Sequence, residues 1–196
     1  MTDRPLIVGV GGTLRPGSTS ERAMLAALAR AEALGCETLA FGAGAMPCEP
    51  YDPTRSDRTP QARALIDALR RADGVILATP AYHGSISGLV KNAIDYVEDM
   101  REDARVYFEG RSLGCIVCAD GPQAMGATMA ALRAIAHALR AWPTPYGATI
   151  NSRARPFGGD GAGPDQAVIR ACEMVGEEVV EFARLSRRRR EEATQA

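Results

Sequence analysis

Apolar and polar positions along this chain follow two periods, and the two periods take turns. Short apolar runs bounded by Gly, Pro or Asp occur at Leu6–Gly11, Glu37–Phe41, Gly74–Thr79 and Leu113–Ala119, with a weaker one at Tyr146–Ile150. Each reads as a strand. Between them, apolar residues recur every three or four positions. Met24, Leu25, Leu28 and Ala31 form one face, Leu65, Ile66 and Leu69 a second, and Leu89, Val90, Ile94 and Val97 a third. The same period runs through Met125, Met129, Leu132, Ala136 and Leu139, and again through Val168, Cys172, Val175, Val179 and Phe182. These read as amphipathic helices. Five strands alternating with helices predict an α/β protein built on a parallel sheet that is covered on both faces.

No repeat or low-complexity linker interrupts this order. With 196 residues, 46% of them hydrophobic, the chain can build one well-cored domain and is short for two. The expectation is a single domain over 1–196, with 186–196 as a frayed tail. Two loops stand out, Gly42–Arg58 and Asn151–Pro164, the second centred on Gly158-Gly159-Asp160-Gly161; loops of this length are often functional. The run Arg187–Arg190, followed by Glu191-Glu192, reads as a solvated helix end whose positive charge suits the helix dipole.

Charge and cysteine content narrow the partners. The net charge is −1 with both signs interspersed, so neither nucleic acid nor an anionic membrane is expected as a partner. No stretch approaches the roughly 20 apolar residues of a membrane span, and the N-terminus carries no signal-type apolar core. A soluble cytoplasmic protein is expected. The five cysteines are odd in number and sit mostly in apolar segments, unlike a secreted disulfide framework. Cys115 and Cys118 lie three apart inside a predicted strand, which sends them to opposite faces. They read as buried small residues, and no metal site is expected.

Candidate chemistry begins where the first predicted strand ends. Gly9-Val10-Gly11-Gly12-Thr13-Leu14-Arg15-Pro16-Gly17-Ser18-Thr19-Ser20 is a Gly- and hydroxyl-rich loop opening a helix, the arrangement in which backbone N–H groups cradle a phosphate. The dinucleotide fingerprint G-x-G-x-x-G fails at Leu14, where its third glycine should stand. The triphosphate loop G-x-x-x-x-G-K-[ST] fails at Ser18, where its lysine should stand. What remains is one basic side chain, Arg15, among the hydroxyls of Thr13, Ser18, Thr19 and Ser20, a set suited to a single terminal phosphate such as that of flavin mononucleotide. The simpler alternative has Thr19 or Ser20 only capping a helix that begins at Glu21.

In an open parallel sheet, ligands gather beyond the carboxyl ends of the strands. The loops there include Thr79–Asp95 after the third strand and Asp120-Gly121-Pro122-Gln123 after the fourth. His83 could lend a proton near a bound ring or lie on the surface; His137 reads as structural, and Lys91 with Asp95 as a surface ion pair.

Pro80–Asp95 resembles the P-x-Y-x-G-S-x-x-G-x-x-K-x-x-x-D signature of the NAD(P)H-dependent FMN reductase family, and Gly12–Ser20 resembles that family's G-[ST]-x-R-x-x-S-x-[NST] phosphate loop. The resemblance covers almost the whole chain. It implies a flavodoxin-like, five-stranded sheet of order 2-1-3-4-5 with FMN across the strand ends and NAD(P)H as hydride donor. Carried over by position, Thr13, Arg15, Ser18, Thr19 and Ser20 would hold the phosphate. Pro80, Ala81, Tyr82, His83 and Gly84 would line one edge of the ring, and Asp120, Gly121, Pro122 and Gln123 the other. Ala81 and His83 replace the Glu and Asn usual in quinone-reductase-like members. The activity implied is passage of hydride to FMN and on to free flavin, a quinone or another small acceptor, in a homodimer or homotetramer, with a monooxygenase as a possible partner. The alternatives are a reductase of quinone, azo or chromate type that keeps its FMN, a flavodoxin-like electron carrier, and a binding protein that has lost its flavin.

Overall fold

A computed structural model describes residues 4–158 and 163–195; Gly159, Asp160 and Gly161 of the late loop lie outside them. The strands are β1 (Leu6–Gly11), β2 (Glu37–Phe41), β3 (Gly74–Tyr82), β4 (Ser85–Ile86), β5 (Ser112–Ala119), β6 (Trp142–Pro143) and β7 (Ala148–Asn151). The helices are α1 (Thr19–Ala33), α2 (Pro60–Arg71), α3 (Gly88–Asp95), α4 (Pro122–Ala138) and α5 (Gln166–Gln195). Seven strands therefore stand where five were expected. The order along the sheet is β2-β1-β3-β5-β6, with β7 also pairing β5 and β4 pairing β3, so the expected order 2-1-3-4-5 is kept in the larger plan. The fifth position is split because the chain breaks at Thr144-Pro145, where proline has no N–H to give to a ladder. The seventh strand arises because β3 runs on to Tyr82 and folds back antiparallel on β4, pairing Tyr82 with Ser85.

Period-two alternation sorts the core onto two faces. Val8, Val10, Val75, Leu77, Leu113, Cys115 and Val117 face α2, α3 and α4, where Leu65, Leu69, Val90 and Leu132 are buried. Ile7, Ile76, Ala78, Ile116 and Cys118 face α1 and α5, where Met24, Ala27, Val175 and Val179 are buried. Cys115 and Cys118 thus lie on opposite faces as expected, and burial pushes the Cys115 thiol up to about 12. The two helices on the second face touch closely: a Cβ at Gly176 would stand 2.4 Å from the carbonyl oxygen of Ala27.

Several local expectations change. Leu25 is 46% exposed; Ala23 and Ala27 take the buried positions on α1. The N-cap of α1 is Ser18, whose side chain accepts the Glu21 amide, in place of Thr19 or Ser20. His137 is exposed in the last turn of α4. Lys91 and Asp95 form the expected exposed ion pair. The segment expected to fray is helical as far as Gln195, and its arginines are not all solvated. Arg187 lies 3.5 Å from Asp73 Oδ2 and Arg190 2.5 Å from Oδ1, while Asp73 Oδ2 also accepts the Leu6 amide at 3.1 Å.

Candidate active site

The loops after β1, β3 and β5 leave the sheet at its carboxyl edge, because all three strands are parallel and adjacent. Close approach there needs Gly11, since a Cβ on it would stand 2.1 Å from the Ala78 carbonyl oxygen. The loops enclose a cleft of about 340 Å³ lined by Thr13, Arg15, Ser18, Thr19, Ser20, Pro80, Ala81, Tyr82, His83, Cys118, Ala119, Asp120 and Ser152. Ten of the fourteen residues singled out from the sequence meet in this one cavity. Gly84, Gly121, Pro122 and Gln123 do not line it. Gly84 completes the turn of the β3–β4 hairpin, and a Cβ there meets nothing within 4 Å, so any cost of a side chain is the strain of its positive φ. Gly121 caps α4, and Pro122 and Gln123 begin it.

Three residues of the lining were missed. Cys118 and Ala119 lie at the end of β5. Ser152 follows β7, whose Asn151 is in register with Ala119, so strand pairing carries Ser152 beside the loop that follows β5. Its only sequence signal was its place in the long loop Asn151–Pro164.

One wall of the cleft is a ready anion cradle. The first four amides of a helix have no partner within it; on α1, Ser18 Oγ takes the Glu21 amide at 3.4 Å and Ser18 O takes the Arg22 amide at 2.9 Å. No hydrogen bond from the amides of Thr19 and Ser20 is made within the described residues. Ser18 and Ser20 are 3% and 2% exposed, with their hydroxyls 3.5 Å apart. The loop before them is held by Thr13 Oγ1, which accepts the Arg15 amide at 3.0 Å. Arg15 lines the cleft, and its guanidinium makes no ion pair among the described residues.

The opposite wall is fixed backbone. Tyr82 is 56% exposed, and the two-residue turn His83-Gly84 has positive φ at both positions, 53° and 82°, as a tight hairpin turn requires. Thr79 Oγ1 accepts the Ser87 amide at 3.0 Å, and Ser87 caps α3 by accepting the Val90 amide at 3.2 Å. The excursion from residue 80 to 86 is thus closed at its base. A site made of hydroxyls, bare amides, one guanidinium and a rigid backbone edge is equipped to bind a phosphorylated planar group. Among the described residues it offers no cluster of metal ligands.

Comparison with known proteins points the same way. The model of the family described as NADPH-dependent FMN reductase matches residues 5–155, which spans both the phosphate loop and the hairpin. The chain is 28% identical over 186 residues to the NADPH-dependent FMN reductase ArsH of Shigella flexneri, covering 93% of this chain and 70% of that protein. It is 31% identical over 96 residues to the NAD(P)H-dependent FMN reductase PA1204 of Pseudomonas aeruginosa, covering 49% of this chain and 51% of that one. The match thus spans only about half of the Pseudomonas protein, and 27% of another curated relative. In fold, the chain is similar to FerB, a flavoenzyme NAD(P)H:(acceptor) oxidoreductase from Paracoccus denitrificans, at a TM-score of 0.71, 20% identity, and 93% and 98% coverage of the two chains. Its three layers are those of a flavodoxin-like protein. With the family model running from β1 through the turn after β7, this chain belongs to the NADPH-dependent FMN reductase family.

Proposed function

We propose that the protein is an FMN-dependent NAD(P)H oxidoreductase that passes electrons to a small acceptor. The observation that carries this is the cleft itself, where a single-phosphate cradle and a rigid hairpin edge come together from three loops. The Thr19 and Ser20 amides and the hydroxyls of Thr13, Ser18, Thr19 and Ser20 hold the phosphate, with Arg15 supplying the opposing charge. Pro80, Ala81, Tyr82 and His83 support one edge of the flavin ring, and Asp120 with Ser152 flank the other. When bound, FMN supplies the hydride chemistry. The protein's part is position and local polarity, and no acid–base residue is required of it.

The reading extends to a homodimer or homotetramer working in the cytoplasm, with free flavin, a quinone or a similar molecule as acceptor and a monooxygenase as a possible client. The deciding experiment is the visible spectrum of the purified protein with added FMN, followed by anaerobic NADPH or NADH. A flavin band that bleaches supports the reading; no flavin binding removes it.

A further inference from the structure

Glu21 lies in the first turn of α1, one residue past the phosphate cradle, and its carboxylate is engaged at both oxygens. Oε2 accepts the Gly17 amide at 2.5 Å, and Oε1 accepts the Ala43 amide at 2.8 Å. Gly17 belongs to the loop after β1, whereas Ala43 belongs to the loop after β2 on the far side of that strand. One side chain therefore ties two loops to the start of one helix.

The slot is built for this side chain. A Cβ at Gly42 would stand 2.2 Å from Glu21 Oε1, and one at Gly12 would stand 3.0 Å from Glu21 Cβ. A side chain at Gly42 would push the carboxylate out, whereas one at Gly12 would meet the stem of Glu21 and be strained by its φ of +99°.

We infer that Glu21 is the positioning residue of the phosphate cradle, fixing Gly17 and hence Ser18, Thr19 and Ser20 in the anion-binding arrangement before any anion arrives. This rests on the flavin reading of the cleft. A carboxylate close to a phosphate would repel it if repulsion were its only effect. Here its lone pairs are occupied by two amides, and solvent screens charges across an exposed loop, whereas charge-assisted hydrogen bonds are the stronger kind. The ordering effect wins, and losing the carboxylate weakens phosphate binding. Glutamine cannot substitute, because its amide group offers one acceptor oxygen and turns an N–H donor toward the other amide.

The test compares FMN with riboflavin, which carries the same ring without the phosphate, by fluorescence titration of the wild-type protein, Glu21→Gln, Glu21→Ala and Gly42→Ala. In all three variants the FMN dissociation constant is expected to rise about tenfold while that for riboflavin changes less than twofold. Gly42 has no positive φ, so alanine there acts through displacement of the carboxylate and not through backbone strain. If Glu21→Ala fails to fold, Glu21→Gln and Gly42→Ala decide. An unchanged preference for FMN over riboflavin overturns the inference, and so does equal weakening of both ligands, which would mark general loosening of the loops. A wild-type protein that binds neither flavin overturns the proposed function and this inference together. One that binds both flavins with variants like wild type overturns the inference alone.

Discussion

Thr79 and Ser87 are joined across the base of the ring-side loop: the Thr79 hydroxyl, fully buried, accepts the Ser87 amide at 3.0 Å and donates to the Pro80 carbonyl at 2.8 Å. The bond couples β3 to the cap of α3. Everything between them, Tyr82, His83 and Gly84 included, hangs from that closure. A buried amide left without its acceptor costs about 1–3 kcal/mol. Thr79→Val keeps the shape and removes the acceptor, so it is expected to lower stability by about that amount and to weaken FMN binding. Urea denaturation alongside flavin titration checks it; a variant of unchanged stability would deny the closure any energetic role.

Arg15 presents the opposite case, a side chain whose value appears only with ligand. Its amide is tied to Thr13, its guanidinium has no described partner, and the residue is exposed. Arg15→Ala should leave the urea midpoint unchanged and weaken FMN by roughly 1.5–3 kcal/mol, the worth of a charged hydrogen bond. Riboflavin affinity should be unaffected. Unchanged FMN affinity would remove Arg15 from the phosphate site.

How much of this was legible in the sequence depends on the range of the interaction. Alternation within Leu6–Gly11 and Leu113–Ala119 records which face each side chain meets, so the two-sided core and the parallel sheet could be read directly. The convergence of Thr13, Arg15, Ser18, Thr19 and Ser20 on one cleft could be read too, because these residues lie within one short loop and the first turn of α1. Thr79, Glu21 and Ser152 could not. Each acts through a partner set by tertiary pairing, Ser87 across a hairpin, Ala43 across β1, and Ala119 through the register of β5 with β7. The Arg187–Arg190 run misled for the same reason, since Asp73, which receives Arg187 and Arg190, is more than a hundred residues away in sequence. Gly121, Pro122 and Gln123 form the cap and first turn of α4, next to Asp120 but outside the lining of the cleft.

The long loop Gly42–Arg58 is fastened by a partly buried fork. Arg58 donates Nε to Asp99 Oδ2 and Nη2 to Oδ1, both at 2.7 Å, and its guanidinium lies 4.8 Å from the centre of the Tyr51 ring. Hydrogen bonding to Arg58 holds the Asp99 carboxyl below its ordinary value. A carboxyl whose native value is depressed adds stability that is complete above its unfolded value of about 3.9 and is lost as pH falls through the native value. Asp99→Asn should therefore cost about 1–3 kcal/mol at pH 7. The gap from wild type should stay constant down to about pH 5 and close at lower pH. A gap that persists unchanged at pH 2 would show that the ionised fork is not its source.

Arg111 tests whether stability and flavin binding can be separated. It is 1% exposed and lies just before β5, at the end of the sheet opposite the cleft. Its guanidinium donates to the carbonyls of Ala72 at 3.1 Å, Tyr107 at 2.9 Å and Arg70 at 2.8 Å, and so caps the carboxyl end of α2. Burial, with help from the nearby Arg105 charge, pushes Arg111 down, which still leaves it a cation at neutral pH. A guanidinium keeps its proton across the whole accessible pH range, so the burial penalty does not vary with pH. Arg111→Leu removes the donor to three buried carbonyls, of which Ala72 keeps a second donor in Arg105 Nη1 at 3.2 Å, and should cost about 3 kcal/mol or more. Arg111→Lys should recover only part of this, since a single ammonium cannot fork toward three acceptors. Both losses should be flat between pH 6 and pH 8, and the FMN dissociation constant of whatever fraction remains folded should match wild type. A variant that lost flavin affinity while keeping its urea midpoint would contradict the assignment of Arg111 to the scaffold.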